Sequence, residues 1–208
     1  MQSTLTVLAG SALMHDLAIV RDASTDMTAF RGAINRIGLH LAAEVSKYLP
    51  TYGLEIDTPN ERTNVSKLDG HLVLLPVLRA GLGLLEPFLT LLPHSSVGYI
   101  GLRRDEQTLE PHTYYNNVPS HAGTWTAVVL DPMLATGGSM VAALDSLALK
   151  PPTCILAAAL IAAPEGVERV RKAHPNVHIV VGAMDRGLNE RGFIVPGLGD
   201  AGDRLFGT

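Results

Sequence analysis

The chain has 208 residues, 47% apolar and 17% charged, which suits one sizeable α/β domain with a buried core and excludes general disorder. A formal net charge of −4, with no Lys/Arg run longer than two, excludes a nucleic-acid binder that works through a broad basic surface. A single cysteine, Cys154, rules out an intrachain disulfide and fits a reducing, cytoplasmic location; within its apolar run it reads as a small buried thiol.

No Lys or Arg precedes Arg21, so the charged start of a secretory signal is missing, and the apolar stretch at 5–20 is interrupted by Ser11, His15 and Asp16. No uninterrupted apolar run reaches membrane-spanning length, so no membrane partner is expected. Residues 28–49 have helical spacing, with Phe30, Ile34, Ile37, Leu41 and Val45 three or four apart, and Pro50 ends the pattern. Residues 51–70 are polar, contain Thr58-Pro59, and read as a loop or extended connector. Short apolar runs then recur at 71–77, 96–102, 125–130, 153–161 and 177–182, as expected of strands buried on both faces of a parallel sheet. Segments 138–149 and 166–173 lie between them with helical character. Strand and helix alternating in this way predict a doubly wound α/β fold, a mostly parallel sheet flanked by helices. Ligands of such sheets sit beyond the strands' carboxyl ends, so the residues directly after each run are the candidates for chemistry.

After the run at 71–77 come Leu78, Arg79, Ala80 and Gly81. The Arg79 guanidinium is a fork of donors suited to phosphate oxygens, or to pairing with a carboxylate. After 96–102 comes a polar stretch, 103–115, with Arg104 and Pro111 in it, which reads as an exposed loop or arm, or a charged surface hairpin. After 125–130 come Asp131, Pro132, Met133, Leu134, Ala135, Thr136, Gly137, Gly138 and Ser139. Pro132 forbids continued pairing where the acid stands, and the Thr-Gly-Gly-Ser turn opens a helix whose free N–H groups and partial positive charge can bind a phosphate dianion. An ordinary strand-to-helix turn capped by Thr136 or Ser139 is the alternative. The tail contains Gly197-x-Gly199-x-x-Gly202, a dinucleotide fingerprint in letters only, because it follows Pro196 and six residues remain after it.

These segments, in this order, resemble the phosphoribosyltransferases. The turn at 131–139 is similar to their motif for phosphoribosyl pyrophosphate (PRPP), and Asp131 followed by Pro132, where most branches have two adjacent acids, resembles the uracil branch. Residues 78–83 resemble the pyrophosphate loop, Arg104 stands where the family's arm has an Arg before its acidic pair, and 192–208 resemble the uracil-binding hood. Residues 21–31 and 162–170 look like the same family; the first twenty residues, Asn35 and Gln107 depart from it.

The resemblance implies a phosphoribosyltransferase (type I-like) fold in a single domain, 1–208, with a flexible arm at about 103–118 and a C-terminal base-binding hood at about 185–208. It implies a transferase that converts uracil and PRPP to UMP and diphosphate in pyrimidine salvage. Asp131 would contact the ribose hydroxyls, with Pro132, Met133 and Leu134 leading into the loop formed by Ala135, Thr136, Gly137, Gly138 and Ser139 around the 5-phosphate. Arg79 and Arg104, with Mg2+, would clamp the pyrophosphate. Ile194, Gly199, Asp200 and Ala201 would read uracil through the backbone. Asp200 would also face PRPP and, through PRPP and water, the metal; it is the best candidate if a general base exists. The family further implies a homo-oligomer, a dimer or higher, and GTP as an effector in some members. A PRPP- or nucleotide-sensing regulator that binds RNA is the rival reading on the same fold, and the negative charge counts against it.

Overall fold

In the computed structural model, which describes residues 4–104, 111–119, 123–149 and 151–208, a short strand β1 (Leu5–Val7) leads into helix α1 (Ser11–Arg21). Helix α2 (Met27–Ser46) is capped by Asp26, whose carboxylate accepts the Ala29 N–H at 2.9 Å. Its buried face carries Phe30, Ile34, Ile37, Leu41 and Val45, the stripe that the spacing predicts.

Residues 51–70 are not a connector. Strands β2 (Thr51–Asp57) and β3 (Arg62–Leu68) form an antiparallel hairpin in which Thr51 faces Leu68 and Asp57 faces Arg62. Tyr52, Leu54 and Ile56 do alternate with polar or small residues, the period of a strand, yet no hairpin residue is fully buried, so the pattern is faint.

The chain then runs through β4 (His71–Leu78), α3 (Leu82–Leu91), β5 (Ser96–Val97), β6 (Tyr99–Arg104), β7 (Pro111–Asn117), β8 (Trp125–Leu130) and β9 (Met133–Leu134). It finishes with α4 (Gly138–Asp145), β10 (Cys154–Ala162), α5 (Pro164–Ala173), β11 (His178–Met184), β12 (Gly187–Leu188), β13 (Ile194–Val195) and α6 (Ala201–Phe206). The main sheet has the order β1-β11-β10-β8-β4-β6-β7. Every neighbouring pair along it is parallel except β6 with β7. The apolar run at 96–102 is thus two strands, broken at Gly98, and both pair with β4.

Strand β8 shows why the central runs are continuously apolar: all six of its residues are buried. Val128 and Leu130 point to one core, with Phe30, Ile34, Leu84 and Phe88 from α2 and α3. Ala127 and Val129 point to the other, with Met140 and Leu144 from α4 and Val167 and Val170 from α5. Among the described residues, no helix is long and apolar enough to cross a membrane.

Helices α2 and α3 pack very closely, because a Cβ on Gly38 would lie 2.4 Å from Pro87 Cγ and the proline ring cannot swing away. Gly38→Ala is therefore expected to lower unfolding stability by about 1–3 kcal/mol, the usual size of an overpacking defect. A urea midpoint equal to that of the parent chain would contradict this packing.

Candidate functional site

Strands β4 and β8 are neighbours, with Pro76 opposite Leu130, so the residues after them emerge side by side at the carboxyl edge. Asp131 follows β8 directly and is 8% exposed. Its N–H donates to Ala158 O at 3.1 Å, and its Oδ1 accepts the Met133 N–H at 3.3 Å. Pro132 breaks the ladder, as expected, but its carbonyl accepts the N–H groups of Leu160 and Ile161 at 3.0 and 3.1 Å. Pairing with β10 then resumes at β9. The chain makes a bulge here, which leaves the acid at the edge and starts the turn at Ala135.

Gly137 is the N-cap of α4, at φ 77° in the left-handed region that favours glycine. No side chain caps the helix, so neither Thr136 nor Ser139 acts as an N-cap; the Thr136 Oγ1 only approaches the Gly138 N–H at 3.5 Å. The expectation of an open helix start therefore fits better than that of an ordinary capped turn. Behind the turn lies α5, where a Cβ on Gly166 would stand 2.4 Å from Ala135 O. That contact gives residues 162–170 a structural reason: they brace the turn.

The loop after β4 begins with a cis peptide between Leu78 and Arg79. The Gly81 N–H donates to Val77 O at 2.8 Å, and a Cβ on Gly81 would meet Leu130 O at 2.5 Å. The exposed Arg79 guanidinium stands 3.6 Å from Asp203 Oδ1 and 6.0 Å from the Phe206 ring centroid, both on α6. Arg104 ends β6 opposite Pro111, at the base of an antiparallel arm. The Arg104 side chain and residues 105–110 lie outside the described residues.

The C-terminal segment folds back over this edge. Strands β12 and β13 pair antiparallel, the Val195–Pro196 peptide is cis, and Asp200 caps α6 by accepting the Asp203 N–H at 3.0 Å. Three arginines fix the segment to the first two helices. Arg21 donates to both oxygens of Asp185, at 2.9 and 2.5 Å, and to Gly197 O at 2.9 Å; Asp185 also accepts the Gly197 N–H at 2.8 Å. Arg204 donates to the carbonyls of Val20, Leu198 and Asp22 and lies 4.1 Å above the Phe30 ring. Arg31 Nε donates to Leu205 O at 2.6 Å. Burial pushes the Asp185 carboxyl upward, but the Arg21 guanidinium and the Gly197 N–H outweigh it and hold the group below its usual range.

Sequence reading missed Asp185 and Arg21. The signal was available: Asp185 directly follows a buried strand, the same position that singled out Asp131.

A cavity of about 370 Å³ lies between turn and hood. Asp131, Met133, Ala135 and Ser139 line it from one side, Ile194, Gly199, Asp200 and Ala201 from the other. Leu134, Thr136, Gly137 and Gly138 line an adjoining niche of about 20 Å³ that shares Asp131, Ala135 and Ser139. Arg79 is absent from the cavity wall, though its neighbour Ala80 is in it, and Arg191, Gly192 and Phe193, within the expected hood but not singled out there, line it. A larger cavity, about 440 Å³, lies at the opposite end of β4, between residues such as Leu49, Leu68, His71 and His94. It meets the main sheet at strand starts, His71 of β4 and Thr126 of β8, and holds none of that sheet's carboxyl ends, so its size does not make it the site of chemistry. His174 pairs with Asp145 across α5 and α4, whereas His178 bonds to Thr6 on the sheet edge; the two histidines serve different neighbours.

A family model described as uracil phosphoribosyltransferase matches residues 7–208. A curated uracil phosphoribosyltransferase of Symbiobacterium thermophilum is 49% identical over 207 residues, covering 99% of each chain. One from Paracoccus denitrificans is 47% identical over 208 residues, covering 100% of this chain and 99% of its own. Among solved structures, the AQ2163 protein of Aquifex aeolicus matches with TM-score 0.89 and 36% identity over 98% of both chains. A hypoxanthine-guanine phosphoribosyltransferase of Bacillus anthracis matches with TM-score 0.52 at 12% identity, over 76% of this chain and 80% of its own, and shares the fold.

The buried Asp185 supplies a pH test. Its folded pKa lies below the unfolded value of about 3.9, so its contribution is complete well above about pH 4 and is lost as pH falls toward the folded value. Asp185→Asn should be less stable than the parent by about 1–3 kcal/mol at pH 7, with the gap narrowing below about pH 4. A gap that stays constant through acid would contradict a charged Asp185.

Proposed function

The chain belongs to the uracil phosphoribosyltransferase family, and on that premise we propose that its cavity joins uracil to PRPP, giving UMP and diphosphate for pyrimidine salvage. The observation that carries this reading is that the turn after β8 and the hood, more than fifty residues apart in sequence, line one cavity.

In the reaction the bond from the anomeric carbon to pyrophosphate breaks as the bond to uracil N1 forms, while positive charge develops on the ribose ring. Asp131, fixed by the Met133 N–H, would hold the ribose hydroxyls. The open start of α4, with Thr136, Gly137, Gly138 and Ser139, would hold the 5-phosphate through backbone N–H groups and hydroxyls. Arg79 and Arg104 would hold the departing pyrophosphate. The present contact of Arg79 with Asp203 is long and exposed, worth about 0–1 kcal/mol, so phosphate oxygens can readily replace it.

Uracil presents acceptor, donor, acceptor along O2, N3 and O4, and cytosine reverses the last two. Backbone groups of Ile194, Gly199, Asp200 and Ala201 on the fixed hood can match that order, and a mismatched base would leave buried polar groups unpaired. The N1 proton leaves to water or to Asp200, whose orientation is set by its bond to the Asp203 N–H.

Among the described residues, no group of three or more His, Cys, Asp or Glu could hold a metal ion by itself. Mg2+ fits this sparse set because it keeps several waters and favours phosphate oxygens, so it would arrive on PRPP with Asp200 facing it through water. When bound it neutralises charge on the leaving pyrophosphate. A cytoplasmic location suits the lone, partly buried Cys154. The family likeness supports a homo-oligomer, a dimer or higher.

Incubation with PRPP, Mg2+ and uracil should yield UMP and diphosphate, with kcat/KM for cytosine lower by at least about 10⁴-fold. Absence of UMP would overturn the proposal. Asp200→Asn should lower kcat/KM by about 10²-fold or more. Activity close to the parent's, with PRPP binding unchanged, would remove Asp200 from both of its roles.

A further inference from the structure

The geometry points to Arg191 as a further substrate-binding residue, a cation that meets the 5-phosphate of PRPP and of UMP. This inference rests on the reading of the cavity given above and adds to it a charge that the phosphate turn lacks.

Residues 131–140 contain one carboxylate, Asp131, and no Lys or Arg, and the first turn of α4 adds no charge. A phosphate dianion seated there would meet neutral donors and a helix end alone. Arg79 stands apart, against α6. Arg191 is the Lys/Arg side chain among the described residues that line the cavity, whose carboxylates are Asp131 and Asp200. No carboxylate among the described residues pairs with its guanidinium.

The backbone that presents Arg191 is fixed. Asn189 Oδ1 accepts the N–H groups of both Arg191 and Phe193 at 3.0 Å, and Asn189 O accepts that of Gly192 at 2.9 Å. Gly192 takes φ 76°, which closes the turn. A Cβ at Gly192 would lie 3.7 Å from Thr136 Cγ2, so this turn rests against the phosphate turn itself. One residue away, Arg191 lines the same cavity, and an arginine side chain is long enough to carry its charge from there to the opening of α4. Arg169 provides an internal control. It also approaches the turn, its Cβ 3.2 Å from a Cβ placed on Gly137, but it does so from α5, outside the cavity wall.

The test is equilibrium binding of UMP and of uridine to the full chain, with steady-state kinetics beside it. Arg191→Gln should weaken UMP by about tenfold or more while leaving uridine unchanged, since only UMP carries the dianion. The KM for PRPP should rise in parallel with kcat held within about twofold, and Arg191→Lys should recover much of the loss. Arg169→Gln should match the parent in all of these. UMP affinity within about twofold of the parent in Arg191→Gln would overturn the inference, as would an equal loss for UMP and uridine, the mark of a disturbed hood. If the parent itself forms no UMP, the proposed function fails instead.

Discussion

A carboxylate that is nearly inaccessible to water has to be paired, and the pairing of Asp185 sets the shape of the site. Asp185 stands at the end of β11, and its two oxygens receive the Arg21 guanidinium and the Gly197 N–H. Removing Arg21 would leave the buried Asp185 charge uncompensated, a far larger penalty than any net gain from the pair itself. The cluster therefore acts as a geometric constraint more than a source of stability. It ties the end of the sheet, the end of α1 and the base of the hood into one unit, and Arg204 and Arg31 extend that attachment to α6.

That constraint turns a flexible tail into one wall of a cavity. Its Gly-rich sequence would otherwise be among the less ordered parts of the chain. The opposite wall is rigid for a different reason: the turn after β8 is trapped between the sheet and α5 at Gly166. Two walls fixed independently, one by charge and one by close packing, hold their relative positions without a ligand. On the proposed function, backbone groups held this way would discriminate between bases whose hydrogen-bond patterns differ by a single reversal. By contrast, Arg79 is held by a long, exposed contact, and mobility suits a residue that would follow a leaving group.

The sequence made the central sheet legible because strands buried on both faces cannot hide: β4, β8, β10 and β11 are apolar throughout their cores. Asp131 and the glycine turn were legible from the same logic of strand ends. The β2–β3 hairpin was not, since without a buried face its alternation carries little contrast. Nor was α3, whose residues are apolar nearly all round and include Pro87, which argues against a helix. Helix α4 ends at Asp145, short of the expected 149, as residues 146–149 tighten into turns. Asp185 stands at a strand end as Asp131 does, but its pairing with Arg21 spans 164 residues, and no spacing within a single chain marks a partner at that distance. The family likeness located the hood; the structure adds what holds it down.

The central claim is that one phosphorylated nucleoside bridges the two walls, and a crystal structure of the chain with UMP tests it most directly. The account predicts the phosphate at the start of α4, against Thr136, Gly137, Gly138 and Ser139, and the base on the hood at Ile194, Gly199 and Ala201. UMP seated in the larger cavity near Leu49 and His94, or lying in reverse with its base against Thr136, would contradict it.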